Sequence, residues 1–171
     1  MDFVIQEALI CRGSPTSGSE NACKTLVENG LCGMFSVDGV FSADGSSKAG
    51  EAYPDNMKFL CEVMEVSRKL YQSTYNSLCE NKFPITVGGD HSISIGTIAG
   101  AADYYGAENL SVVYIDGHAD INTEKSTVTG YIHGMPLASS LGLCDERITL
   151  GKQKKKLYGK NIYIIGARSI D

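Results

Sequence analysis

The sequence predicts an α/β protein, a three-layer α/β/α arrangement around a mainly parallel sheet. Three observations lead there. Short apolar runs such as 110–115 and 161–165 have the length and β-branched content of buried parallel strands. Between such runs lies a long segment whose apolar residues recur every three or four positions, the stripe a helix lays on a sheet. Strand-like and helix-like segments alternate along the chain, which is the pattern of crossover connections between parallel strands. With 171 residues and 43% hydrophobic content, residues 1–171 are expected to form a single domain with one core.

Taken in order, residues 3–10 carry enough β-branched and aromatic character for a first strand, and the Gly, Ser and Pro content of 11–19 makes a loop. Residues 20–29 are expected to be helical, with Ser19 as N-cap and Gly30 as C-cap. The small, polar segment 39–50 reads as an exposed loop around a short strand near 37–41. The longest helix is expected over about 55–80, where Met57, Leu60, Cys61, Met64, Leu70, Tyr71, Tyr75 and Leu78 form the stripe. Pro84 introduces the short strand 85–87, which ends at Gly88-Gly89. A helix over 93–105, the strand 110–115, a long polar loop to about Tyr131, a helix over 133–141 and a last strand over 161–165 complete the chain.

Composition narrows the function classes. A net charge of −5 and a pI near 5.2 argue against nucleic acid as partner and suit a cationic small molecule. The run Lys152-Gln153-Lys154-Lys155-Lys156 is short and lacks interleaved aromatics, so it reads as a solvated helix or turn. Six cysteines without CxxC spacing indicate reduced thiols in a cytoplasmic protein. No run is long and apolar enough for a membrane span, and Met1-Asp2-Phe3 lacks the basic start of a signal peptide.

In open α/β sheets, ligands bind beyond the carboxyl ends of the strands, and all three histidines are expected there. His91 follows Gly88-Gly89-Asp90, His118 lies just past the strand 110–115, and His133 stands at the far end of the same loop. Asp116 and Asp120 flank His118. If the backbone stays extended past Asp116, the period of two turns Asp116, His118 and Asp120 to one side; a helix would pair Asp116 with Asp120 and swing His118 away. Each residue alone has a structural reading as a cap or strand end. Together they are a mixed imidazole and carboxylate set, which suits Mn²⁺ or another first-row divalent ion better than Ca²⁺. A cation also relieves the repulsion between neighbouring carboxylates. One ion would take His91, Asp116 and Asp120; a second would share Asp116 and add His118, at a separation of roughly 3.5 to 4 Å.

The segments Gly88-Gly89-Asp90-His91-Ser92, Asp116-Gly117-His118-Ala119-Asp120-Ile121-Asn122-Thr123 and Gly130-Tyr131-Ile132-His133-Gly134-Met135-Pro136 resemble the ureohydrolase superfamily, arginases above all. That resemblance extends more weakly over nearly the whole chain. It implies an arginase/deacetylase-like fold and a binuclear Mn²⁺ centre held by His91, Asp116, His118 and Asp120, with Asp116 bridging and Asp120 orienting a metal-bridging hydroxide. It further implies that His133 shuttles protons, that Asn122 and Thr129 bind the substrate α-carboxylate, and that Asp171 lies near its α-amino group. The implied reaction is hydrolysis of L-arginine to L-ornithine and urea. A guanidinium carbon is a poor electrophile, so attack needs the strong nucleophile that a metal provides by lowering the pKa of water from 15.7 to about 7 in the zinc case. Agmatine or another guanidino compound is the alternative substrate. Trimers or hexamers are the assemblies the resemblance implies.

The sequence departs from the family pattern in length. Family members are longer, and this chain lacks the later Asp-x-Asp segment that supplies further metal ligands. Two expectations follow: the N-terminal portion of an arginase-type hydrolase, or a truncated ureohydrolase-like protein that binds metal or a partner without catalysis. Either leaves apolar surface and an open edge on the sheet.

Overall fold

The structure, a computed structural model, describes residues 1–45, 56–151 and 156–170. Its strands are β1 (Phe3–Leu9), β2 (Val37–Asp44), β3 (Phe83–Val87), β4 (Val112–Ile115) and β5 (Ile162–Ile165). Its helices are α1 (Ala22–Glu28), α2 (Leu60–Cys79), α3 (Ser94–Tyr105) and α4 (Pro136–Ser140). Every pairing between these strands is parallel: β1 lies between β2 and β3, and β4 pairs with β5. The α/β class with parallel strands is thus the observed one, with the strands divided between two sheets.

One core joins the β1 sheet to the helices. Ala8 and Ile10 meet Val63, Met64, Val66 and Leu70 of α2, Ile95 of α3, and Ile132, Met135 and Ile148 from the later loops. The buried positions of α2 fall at helical spacing, as the stripe requires. Two glycines four residues apart let α3 lie tightly on α2: a Cβ at Gly96 would strike the Ser67 carbonyl, and one at Gly100 would stand 2.6 Å from the Tyr71 carbonyl oxygen.

Several boundaries differ from expectation. β2 runs to Asp44, through what reads locally as a glycine- and serine-rich loop, because pairing with β1 continues from Phe3 to Leu9 and turns Phe41 and Ala43 toward the core. Tertiary pairing overrides weak strand propensity there. α2 begins at Leu60, since Phe59 has φ 55° and leaves the helical path; the expected start at Asp55 lies outside the described residues, as do Ser46 and Ser47. Ser19 does not cap α1. It opens a 3-10 turn, Ser19–Asn21, and its hydroxyl donates to the Ile10 carbonyl, whereas Gly30 does adopt the left-handed conformation that ends the helix. The expected helix over 133–141 is a 3-10 turn, Ile132–Gly134, followed by the single turn α4. Pro136 at the first position of α4 suits the fixed φ of proline.

The β4–β5 pair differs from the β1 sheet. Tyr114 points inward, while Val113, Ile115, Tyr163 and Ile165 form a patch on the other face, each more than half exposed. None of the helices among the described residues is long and apolar enough to cross a membrane. Residues 152–155 of the lysine run lie outside the described residues; Lys156 donates to the Leu150 carbonyl.

Candidate metal and substrate site

The loops leaving β3 and β4 converge. After β3, Gly88 and Gly89 both take positive φ and turn the chain sharply, and Asp90 accepts from the Ser92 amide to start the 3-10 turn His91–Ile93. This aims His91 at the end of β4. There the chain follows neither alternative expected from the sequence: the strand stops at Ile115, and Asp120 adopts a left-handed backbone with φ 45°. Such a conformation costs an aspartate of the order of 1–3 kcal/mol, which the surrounding bonds must offset.

The result gathers His91, Asp116 and Asp120, with one donor atom of each lying within 4.8 Å of the others. His91 Nδ1 is 3.0 Å from Asp116 Oδ2 and 2.9 Å from Asp120 Oδ2. His118 is not in that group. Its ring lies on the other side of Asp116, with Nδ1 3.6 Å from Oδ1 and a side chain 62% exposed. Asp116 therefore presents one oxygen to each histidine, while its Oδ1 also accepts the His118 amide at 2.9 Å.

Electrostatics follow from this geometry. Burial opposes charge on His91, but the carboxylates of Asp120, Asp116 and Asp90 outweigh it and raise the imidazole above its ordinary pKa. Asp116 is held below the usual carboxylate range: burial works against its charge, and the His118 amide and both imidazoles overcome it. Burial, then the Asp120 charge, push the Tyr114 hydroxyl far above its ordinary value, so it keeps its proton. That proton goes to Asp120 Oδ2 at 2.8 Å, which leaves the phenol oxygen to accept from His91 Nδ1 at 3.1 Å.

His133 belongs to a second cluster. Its amide and Nδ1 both reach the Gly13 carbonyl, at 2.9 and 2.8 Å. A carbonyl only accepts, so Nδ1 carries the hydrogen and Nε2 of the neutral ring is left as the acceptor. Gly13 in turn donates to Asp90 Oδ2 at 2.8 Å, and a Cβ at Gly13 would collide with that carboxylate. Thus the loop after β1 holds His133 itself and Asp90, the neighbour of His91.

A cleft of about 470 Å³ opens beside these groups, lined by His118, Asp120, Asn122, Thr129, Tyr131 and His133 among others. The Asn122 amide oxygen accepts from Ser126 at 2.8 Å, which leaves the amide NH₂ as donor. Asp171 lies outside the described residues. Just before it, Arg168 and Ser169 donate their amides to the Gly117 carbonyl, holding the end of β5 against the Asp116 loop.

Sequence reasoning passed over Tyr114, Asp90 and Gly13. Tyr114 left a signal, since it stands two residues before Asp116 and so faces the same side of the strand. Asp90 and Gly13 left none beyond adjacency to a histidine and a turn.

Comparison with known proteins settles the family. A model described as the arginase family matches residues 11–171. The chain belongs to the arginase family. It is 45% identical to the arginase of Brevibacillus brevis over 118 residues, 68% of this chain and 39% of that protein. Among solved structures, the Bacillus caldovelox arginase matches with a TM-score of 0.88 at 30% identity, over 99% of this chain and 58% of that one. The arginase of Entamoeba histolytica, in complex with L-ornithine, matches with a TM-score of 0.85 at 30% identity, over 99% of this chain and 59% of that one. The chain therefore spans less than two thirds of these arginases' length.

Proposed function

We propose that this chain carries one side of the active site of a Mn²⁺-dependent arginase, which hydrolyses the guanidinium of L-arginine to L-ornithine and urea. The observation that carries the reading is the convergence of His91, Asp116 and Asp120, one imidazole and two carboxylates with donor atoms within 4.8 Å, beside a cleft of about 470 Å³. The likeness to an Entamoeba arginase in complex with L-ornithine supports the choice of substrate.

The donor set fits a divalent ion. Among the described residues, Asp116 and Asp120 stand together with no ammonium or guanidinium in their group, and the positive charge beside them is a proton on His91 or, at Asp116, on His118. A bound cation would take over that role. His91, Asp116 and Asp120 would hold one ion, and Asp116 with His118 would contribute to a second. Such ions supply a water activated for attack at neutral pH and an electrophilic contact for the developing charge.

The other roles fall to the chain's own groups. Asn122, through its free amide NH₂, and the Thr129 hydroxyl bind the α-carboxylate, which favours arginine over agmatine. Asp171 takes the α-amino group. His133, held by Gly13 with Nε2 as acceptor, takes up a proton at that atom and delivers it to the leaving amine as a general acid.

Urea release from L-arginine and from agmatine, together with Mn²⁺ binding, tests the reading. Mn²⁺ should bind the 171-residue chain and be lost in the Asp116→Asn, Asp120→Asn double variant. Equal uptake by the two proteins would overturn the metal assignment. Urea release from arginine would rule out the non-catalytic ureohydrolase-like alternative, and turnover of agmatine in preference to arginine would reassign the substrate.

A further inference from the structure

We propose that Tyr114 is a positioning residue for the acidic site: its buried hydroxyl aims the Asp120 carboxylate, and its ring face aims the His91 imidazole, for capture of a divalent ion. This rests on the metal reading above and adds a residue to it.

Tyr114 is 5% exposed, on the inward face of β4. A tyrosine buried there must find a partner for its hydroxyl. Two of its partners are candidate ligands, Asp120 Oδ2 at 2.8 Å and His91 Nδ1 at 3.1 Å, and the Ser94 side chain is a third partner. The ring also stacks on the His91 imidazole, with centroids 4.7 Å apart and planes at 19°. One side chain therefore restrains two donors from the loops that follow different strands, and it restrains each at the atom or plane that decides its aim.

The need for such a restraint is visible in the backbone. Asp120 sits in a loop, in left-handed conformation, outside any regular element. Nothing in a strand or helix fixes the direction of its carboxylate. The hydroxyl does, donating to Asp120 Oδ2 at 2.8 Å from a ring that the strand holds in place. With an ion held by His91 and Asp120, the hydroxyl bond to Asp120 and the stack on the imidazole would be the restraints left on both side chains. Partners of metal ligands typically change affinity by 10–100-fold when removed.

The test compares wild type with Tyr114→Phe, which keeps the stack and removes the hydroxyl. Mn²⁺ binding is followed by electron paramagnetic resonance, with Tyr163→Phe as a control on the exposed face of β5. The expected result is a 10–100-fold weaker Kd and an altered Mn²⁺ line shape for Tyr114→Phe, and no change for Tyr163→Phe. Thermal unfolding in chelator reports any general loss of stability. A double-mutant cycle with Asp120→Asn then separates aim from bulk structure: once Asp120 no longer ligates, removing the hydroxyl should cost nothing further. A Kd within twofold of wild type, or losses that add in the cycle, would overturn the role of Tyr114 while leaving the metal site intact. If wild type itself binds Mn²⁺ no better than the double variant Asp116→Asn, Asp120→Asn, the metal reading falls first.

Discussion

The β1 sheet with α2 and α3 and the β4–β5 pair are built on the same parallel pairing but are held differently. In the first, Leu70 is fully buried and two glycines bring the helices into close contact. In the second, every other residue of β4 faces outward, and Ile115 is 77% exposed. The candidate metal site takes His91 from the first region and Asp116 and Asp120 from the second. Its geometry on the β4 side is therefore set less by packing than by directed bonds: Tyr114 to Asp120, the Asp116 amide to the Ile165 carbonyl, and the Arg168 amide to Gly117. Packing gives the site a floor, and hydrogen bonds give it its aim.

Substitutions can break this contrast. Leu70→Ala in the sealed region should cost about 2–5 kcal/mol in urea denaturation, through lost burial and the cavity left behind. Gly100→Ala should cost about 1–3 kcal/mol, because the added methyl meets the Tyr71 carbonyl and the helices must part. Ile115→Thr, on the exposed face, should change stability by less than about 0.5 kcal/mol and should lower self-association seen by light scattering. A loss at Ile115 as large as that at Leu70 would mean that the outer face is packed in solution and that the contrast fails.

The smallest effect needs no substitution. Cys144 packs against the first region's core, and burial, aided by the Glu124 charge, pushes its thiol up to about 12. At pH 8 roughly one in ten thousand such thiols is ionised, so alkylation should label exposed Cys79 well before Cys144. Labelling of Cys144 should rise about tenfold per pH unit. Because the folded thiol titrates above the unfolded one, its contribution to stability is complete below the ordinary cysteine value of about 8.5 and is lost as pH climbs toward 12. Peptide mapping after timed alkylation at several pH values reads this directly.

Much of this was legible in the sequence, and the failures share a cause. The α2 stripe, the strand before Gly88-Gly89 and the apolar run before Asp116 are local patterns, and each became the element its period predicts. The end of β2, residues 42–44, read as loop because its strand state comes from pairing with β1, which no local composition records. In the site, the residue types of His91, Asp116 and Asp120 pointed to metal chemistry before any geometry. The position of His118 did not follow, because the two regular backbones considered both fail where the strand ends and Asp120 turns left-handed.

By itself the sequence determined the α/β class, the parallel character of the strands and the residue types of the candidate donors, because periodicity and side-chain chemistry are properties of neighbouring residues. Only the tertiary structure decided which donors meet. His91 and Asp120 are far apart in the chain, and they converge because Gly13 bonds the Asp90 carboxylate beside His91 and Tyr114 bridges His91 and Asp120. Bonds of that kind depend on where the chain returns in space, which short-range pattern does not encode.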